Sequence, residues 1–322
     1  MGVLVDGSWQ SEDASWTDDD GRMRRPSSKF RHWVTHDGEP GPAGDGGFKA
    51  EPGRYHLYIS RACPWAHRTT ILRELKGLQE IVGMSVTHWL MADNGWTFDD
   101  GPGVVPDEVN GARYMWQLYA ASDGTYSGRA TVPVLWDKRT HRIVNNESAD
   151  ILRMFNRAFD AVGAKQGDYY PEQLRSEIDA LNSRIYEYLN NGVYKAGFAK
   201  SQQAYDEAVA PVFETLDWLE GVLGERRWLC GDTPTEADWR LFTTLLRFDP
   251  VYHGHFKCNL RRLVDYPALW AYTRRLYQHP GVRGTVDFDH IKRHYYQSHA
   301  DINPTGIVPA GPELDYDASV EA

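Results

Sequence analysis

The chain has 322 residues, 41% apolar and 25% charged, with a formal net charge of −10. That length accommodates two ordinary domains with a sizeable core. The acidic balance, without any basic run, excludes generic attraction to nucleic acid phosphates. No apolar stretch reaches the length of a membrane span, and the start, MGVLVDGSWQ, lacks the basic and apolar segments of a signal peptide.

Cys63, Cys230 and Cys258 are an odd and widely separated set. This usage suits thiols in a reducing cytoplasm better than a disulfide framework.

Residues 1–50 are rich in Gly, Asp, Ser and Pro and punctuated by Trp9, Trp16, Phe30 and Trp33. They read as an irregular extension pinned by aromatics, with GPAGDGG (41–47) as a loop. That glycine cluster follows no strand and opens no helix, which argues against a phosphate cradle.

From Arg54 the pattern changes. Tyr55, Leu57 and Ile59 alternate with His56, Tyr58 and Ser60, a strand signal. Pro64 suits the first turn of a helix, where its missing N–H costs nothing, and this leaves Cys63 at the N-cap. Ile71, Leu72, Leu75 and Leu78 give the helix an apolar face, and MSVTHW (84–89) alternates as a second strand.

Residues 90–128 are longer than a simple connection, turn-rich at ADNGWTFDD and partly helical at EVNGARYMWQLY. Two short apolar runs, 131–137 and 141–146, then predict a hairpin, and ESADILRMFNRAF predicts a helix. The order is that of a thioredoxin-like domain over 51–162.

After residue 171 only helical periodicity remains. Leu174, Ile178, Leu181, Ile185 and Leu189 form one stripe; Tyr205, Val209, Val212, Leu216, Leu219 and Leu223 form another. TEAD (235–238) reads as a capping box. Further helices are predicted over 236–248, 267–278 and 287–298, so 171–298 is an all-helical domain, followed by a coil tail over 299–322.

A cysteine at a helix N-cap sees the positive end of the helix dipole and unpaired N–H groups, and both favour the thiolate. His67 and Arg68 either add positive potential or simply face outward. Trp65 and Ala66 follow Pro64, so there is no resolving cysteine nearby, and a single reactive thiolate needs a second thiol from solution. Glutathione is the obvious one.

Val132-Pro133 before a strand suits a cis-proline turn whose backbone pairs with the cysteinyl part of glutathione. Alone, it is equally a proline at a strand edge. Glu147-Ser148 at a helix start can hold a carboxylate on N–H groups and the hydroxyl, and an ammonium on Glu147. Both groups sit on one carbon of the γ-glutamyl end. As plain capping, NNES needs no ligand. HGHFKC (253–258) offers two histidines and a cysteine, too few ligands for a metal site.

RACPWAHRT, DNGWTFDD, YSGRATVPVLWD, NNESADILRMFN, GVYKAGFA, RFDPVYHGHFKC and NPTGIVP together resemble the glutathionyl-hydroquinone reductases, the Xi class of glutathione transferases. The resemblance runs over nearly the whole chain. It implies a glutathione-transferase fold, α/β plus all-α, with an N-terminal thioredoxin-like domain and a C-terminal helical bundle.

It further implies Cys63 as nucleophile, and Trp96, Arg129, Val132, Glu147 and Ser148 as the glutathione site. Tyr194, Tyr252 and Tyr295 would line a hydroquinone pocket, with Tyr194 and Tyr295 as candidates for proton delivery. Glutathione would be a cosubstrate in a cytoplasmic homodimer, with no metal and no nucleic acid or membrane partner. The nearest alternative is an omega-like thioltransferase or dehydroascorbate reductase. Two stretches depart from the family pattern: Trp239 stands where an aliphatic residue is common, and 101–112 matches weakly.

Overall fold

A computed structural model of the chain describes residues 2–11 and 17–320. Trp16, expected among the pinning aromatics, lies outside them. The chain divides into two compact units. The first contains 1–14, 27–167 and 284–294; the second contains 15–26, 168–283 and 295–322.

The extension is not wholly irregular. Strands β1 (Val3–Val5) and β2 (Ser8–Gln10) pair antiparallel around Asp6 and Gly7. These two residues have φ of 46° and 74°, the left-handed pair that a two-residue hairpin turn demands. Leu4 and Gly128 exchange N–H···O bonds of 2.9 Å, and Trp9 stacks on Trp116 at 5.9 Å. The hairpin therefore belongs with the long connection 90–128.

The first unit is organised around a four-stranded sheet of order β4-β3-β5-β6: β3 (Tyr55–Ile59), β4 (Gly83–Val86), β5 (Val134–Asp137) and β6 (Arg142–Asn145). β4 runs parallel to β3, while β5 and β6 are antiparallel. Helix α1 (Pro64–Leu75) packs against α3 (Ser148–Arg157), and α2 (Met115–Ser122) against β6. Each element sits within a few residues of its expected place.

The alternation in β3 is misleading, because all five of its residues are buried. Polar atoms on this central strand have partners: Tyr58 Oη donates to Asp107 at 2.7 Å, and the His56 ring meets Ser85 Oγ at 2.8 Å. Burial pushes the His56 imidazole down to about 4.

The second unit holds α4 (Arg175–Ile185), α5 (Gly192–Gly197), α6 (Gln202–Glu225), α7 (Glu236–Arg247) and α8 (Pro267–Tyr277). Wider π-type turns follow α4 at Tyr186–Asn190 and α7 at Phe248–Tyr252. Residues 17–26 of the extension are tied to this unit, Arg22 by an ion pair with Glu207 at 2.9 Å and Gly21 by accepting the Lys200 N–H.

Asp238 accepts the Thr235 N–H at 2.7 Å and the Thr235 hydroxyl at 3.0 Å. The carboxylate half of the expected capping box is thus formed, and the hydroxyl donates to Asp238. Trp239 is fully buried among Tyr169, Phe242 and His279. The last helix, α9 (Phe288–Ser298), is divided between the units after His294. No helix among the described residues is long and apolar enough to cross a membrane.

Candidate active site

β3 ends at Ile59, and the chain turns through 60–62, with Cys63 N–H bonding to Ser60 O at 3.2 Å. Pro64 occupies the first turn of α1, and Cys63, with φ −74° and ψ 120°, is the N-cap. Its carbonyl accepts the His67 N–H at 3.0 Å, while its side chain makes no capping bond. The thiol instead reaches the Val132 carbonyl at 3.6 Å. The Val132-Pro133 bond is cis. Two expected site residues, Cys63 and Val132, are thus in contact.

His67 and Arg68 face inward rather than outward. The His67 ring meets Thr285 Oγ1 at 2.8 Å. The Arg68 guanidinium lies 4.4 Å from the centre of the Trp65 ring, with Nη1 3.5 Å from Ser148 Oγ. This cation links α1 to the first turn of α3.

Glu147 caps α3: its Oε1 accepts the Ala149 N–H at 3.2 Å, while its own N–H bonds to Asn145 Oδ1 at 2.7 Å. Ser148 is buried beside it. The capping reading of NNES therefore holds in the structure. It leaves Glu147 half-exposed at a helix start, a carboxylate beside a helix N-terminus.

Trp96 is buried and stacks on His294 at 4.7 Å, and its carbonyl accepts the Met115 N–H. Arg129 is half-buried, and its carbonyl takes the Tyr126 hydroxyl at 3.1 Å. His294, which backs Trp96, carried no signal in the sequence beyond its position in a helical pattern.

In the second unit Tyr194, Tyr252 and Tyr295 come together. Tyr194 Oη hydrogen-bonds to Tyr295 Oη, and Tyr252 Oη lies 3.3 Å from the same oxygen. Tyr194 stands on α5 and Tyr252 ends a π-type turn, a kind of helix irregularity frequent at functional sites. Phe256 stacks on Tyr252 at 5.5 Å, and Gly197 permits this packing: a Cβ there would stand 2.2 Å from the Phe256 ring.

Burial, then the neighbouring Tyr194 and Tyr252, hold the Tyr295 phenol well above its ordinary range, and Arg247 opposes them. Phe256, His255 and His299 complete this aromatic cluster; of these the sequence offered His255 only as one of the two histidines of HGHFKC, and not as part of an aromatic pocket.

The other thiols differ from Cys63. Burial raises the pKa of Cys230 and pushes Cys258 up to about 12, whereas Cys63 is partly exposed. None of the three is in a disulfide. His255 pairs with His299 at 3.1 Å, and no group of three or more His, Cys, Asp or Glu side chains among the described residues is placed to hold a metal.

The glutathione S-transferase N-terminal domain family matches residues 62–158, and the C-terminal domain family matches 202–275. The chain is 58% identical to the glutathionyl-hydroquinone reductase YqjG of Escherichia coli, over 98% of this chain and 97% of that one. The glutathione-bound structure of YqjG superposes with a TM-score of 0.92 at 56% identity, covering 99% and 98% of the two chains.

Identity to the glutathionyl-hydroquinone reductase PcpF of Sphingobium chlorophenolicum is 54%, over 97% and 96%. The Xi glutathione transferase structure from Phanerochaete chrysosporium gives a TM-score of 0.87 at 50% identity, covering 92% of this chain and 94% of that one. Full-length likeness of this degree, together with both domain matches, establishes that the chain belongs to the glutathionyl-hydroquinone reductases, the Xi class of glutathione transferases.

Proposed function

We propose that this chain carries out glutathione-dependent reductive deglutathionylation of glutathionyl-hydroquinones, with Cys63 as the nucleophile. The observation that carries the reading is the position of Cys63: a partly exposed thiol at the start of α1, against the turn at Val132-Pro133.

The Cys63 thiolate attacks the sulfur of the substrate thioether. The sulfur–carbon bond breaks, its electron pair passes to the ring carbon, and that carbon takes a proton. Hydroquinone leaves, and a disulfide joins Cys63 to glutathione. A second glutathione thiolate then attacks this disulfide on the glutathione sulfur, which releases glutathione disulfide and restores Cys63.

Val132, Glu147, Ser148, Trp96 and Arg129 are assigned to glutathione: the Val132 main chain to its cysteinyl part, Glu147 to its ammonium, and the N–H groups at Ser148 to its γ-glutamyl carboxylate. The proton for the ring carbon is assigned to a tyrosine hydroxyl of the Tyr194, Tyr295 and Tyr252 cluster, whose hydrogen bonding supports the reading. A homodimer working in the cytoplasm goes with this reading.

Treatment with glutathionyl-hydroquinone in the absence of added glutathione is expected to trap one glutathione on Cys63, visible by intact and peptide mass. Cys63→Ser should abolish both this adduct and hydroquinone release. An adduct on Cys230 or Cys258, or turnover by the Cys63→Ser protein, would rule the mechanism out. Dehydroascorbate reduction outpacing thioether cleavage would favour the omega-like reading instead.

A further inference from the structure

We propose that Ser28, in the N-terminal extension, is a positioning residue of the glutathione site: it holds the Glu147 carboxylate in the orientation that receives the ligand's ammonium. The proposal rests on the assignment of Glu147 to that ammonium.

Residues 30–32 lie along the free side of β6. Phe30 and Asn146 are joined by two bonds, Phe30 N–H to Asn146 Oδ1 and Asn146 N–H to Phe30 O, each 3.1 Å. The His32 N–H bonds to Val144 O at 3.0 Å, and Asn145 Nδ2 donates to His32 O at 3.0 Å. Between these two residues, Arg31 Nη2 reaches Asp150 Oδ1 at 3.0 Å in the first turn of α3. The register of this segment against the start of α3 is therefore set by both main chain and side chains.

That register delivers the Ser28 hydroxyl to Glu147 Oε2 at 3.0 Å, with Asn146 O a second acceptor at 3.3 Å. The other carboxylate oxygen, Oε1, accepts the Ala149 N–H at 3.2 Å, and Ser148 Oγ lies 3.5 Å from it. Glu147 is thus gripped at both oxygens. With Oε1 alone held, the group could turn about its last torsion, and an ammonium would have to order it on binding. A preordered carboxylate avoids that cost.

The experiment compares Ser28→Ala, Ser28→Thr and Glu147→Ala in the full chain, on two thioethers of the same hydroquinone. One carries glutathione; the other carries cysteinylglycine, which lacks the γ-glutamyl group. Ser28→Ala is expected to raise KM for the glutathionyl substrate about three- to tenfold, with a smaller change in kcat. Its kcat/KM on the cysteinylglycine thioether should match that of the unsubstituted protein, and Ser28→Thr should restore KM.

Equal losses on both thioethers would show a general structural role and overturn the proposal. So would an unchanged KM in Ser28→Ala alongside a raised KM in Glu147→Ala. If Glu147→Ala itself leaves KM for the glutathionyl substrate unchanged, the assignment of Glu147 fails, and the role of Ser28 fails with it.

Discussion

At the Cys63 corner the polar groups are mostly main chain and charge: the Val132 carbonyl, the start of α3, Glu147 and Arg68. In the helical unit the polar atoms at the tyrosine cluster are phenols, bonded to one another in a bed of aromatic rings. The first arrangement suits a charged, flexible tripeptide, for which fixed donors and acceptors give specificity. The second suits a flat phenolic ring, and burial there pushes the Tyr295 phenol up. On the proposed mechanism the first region handles charge and the second a proton, so substitutions in the two should have different kinetic signatures.

The sharpest break between them is expected from Tyr295→Phe. It removes the oxygen that both Tyr194 and Tyr252 share and, on the proposed mechanism, disrupts a general acid worth about 100-fold. Thioether cleavage should fall by that order, while thiol–disulfide exchange at Cys63, which puts no proton on carbon, should change little. Equal losses in both reactions would make the cluster structural and dissolve the contrast.

A second test lies on the charge side. On the proposed assignment, Glu147→Ala or Arg129→Ala removes a charge-assisted contact of about 1.5–3 kcal/mol, so KM for glutathione conjugates should rise roughly 10- to 100-fold. The ratio of thioether to disulfide activity should stay constant, the reverse of the tyrosine variants. Wild-type kinetics in both would place the γ-glutamyl site elsewhere.

The smallest effect is expected at the other thiols. Cys230→Ala and Cys258→Ala should leave kcat/KM within about twofold, with thermal unfolding reporting a loss near 1 kcal/mol from the buried site. Alkylation at neutral pH should label Cys63 alone in the folded protein, since burial keeps the other two protonated.

Short-range chemistry made the Cys63 corner legible. A proline in a first helical turn, an X-Pro before a strand and an acidic cap each constrain the backbone within two or three residues. The tyrosine cluster is built from segments separated by 43 and 101 residues, and only family resemblance picked out Tyr194, Tyr252 and Tyr295 from the eighteen tyrosines of the chain.

Within the extension, Asp6-Gly7 is a hairpin signal, but the flanking strands are only three residues long, too short for alternation to show. The alternation in β3 suggested one wet face, but a strand with neighbours on both sides buries its polar residues if each finds a partner, as His56 and Tyr58 do. The division of α9 after His294 depends on tertiary contacts that no local pattern encodes.

The segment at 30–32 has a further consequence, for solubility. β6 is the last strand in the sheet order, and an uncovered edge strand offers a row of N–H and C=O groups to any extended chain it meets. The Arg31–Asn145 bridge and the His32 bond to Val144 occupy part of that row. Arg31 adds a charged side chain, 43% exposed, on the outer flank. The extension thereby blunts an edge that would otherwise template intermolecular sheet growth.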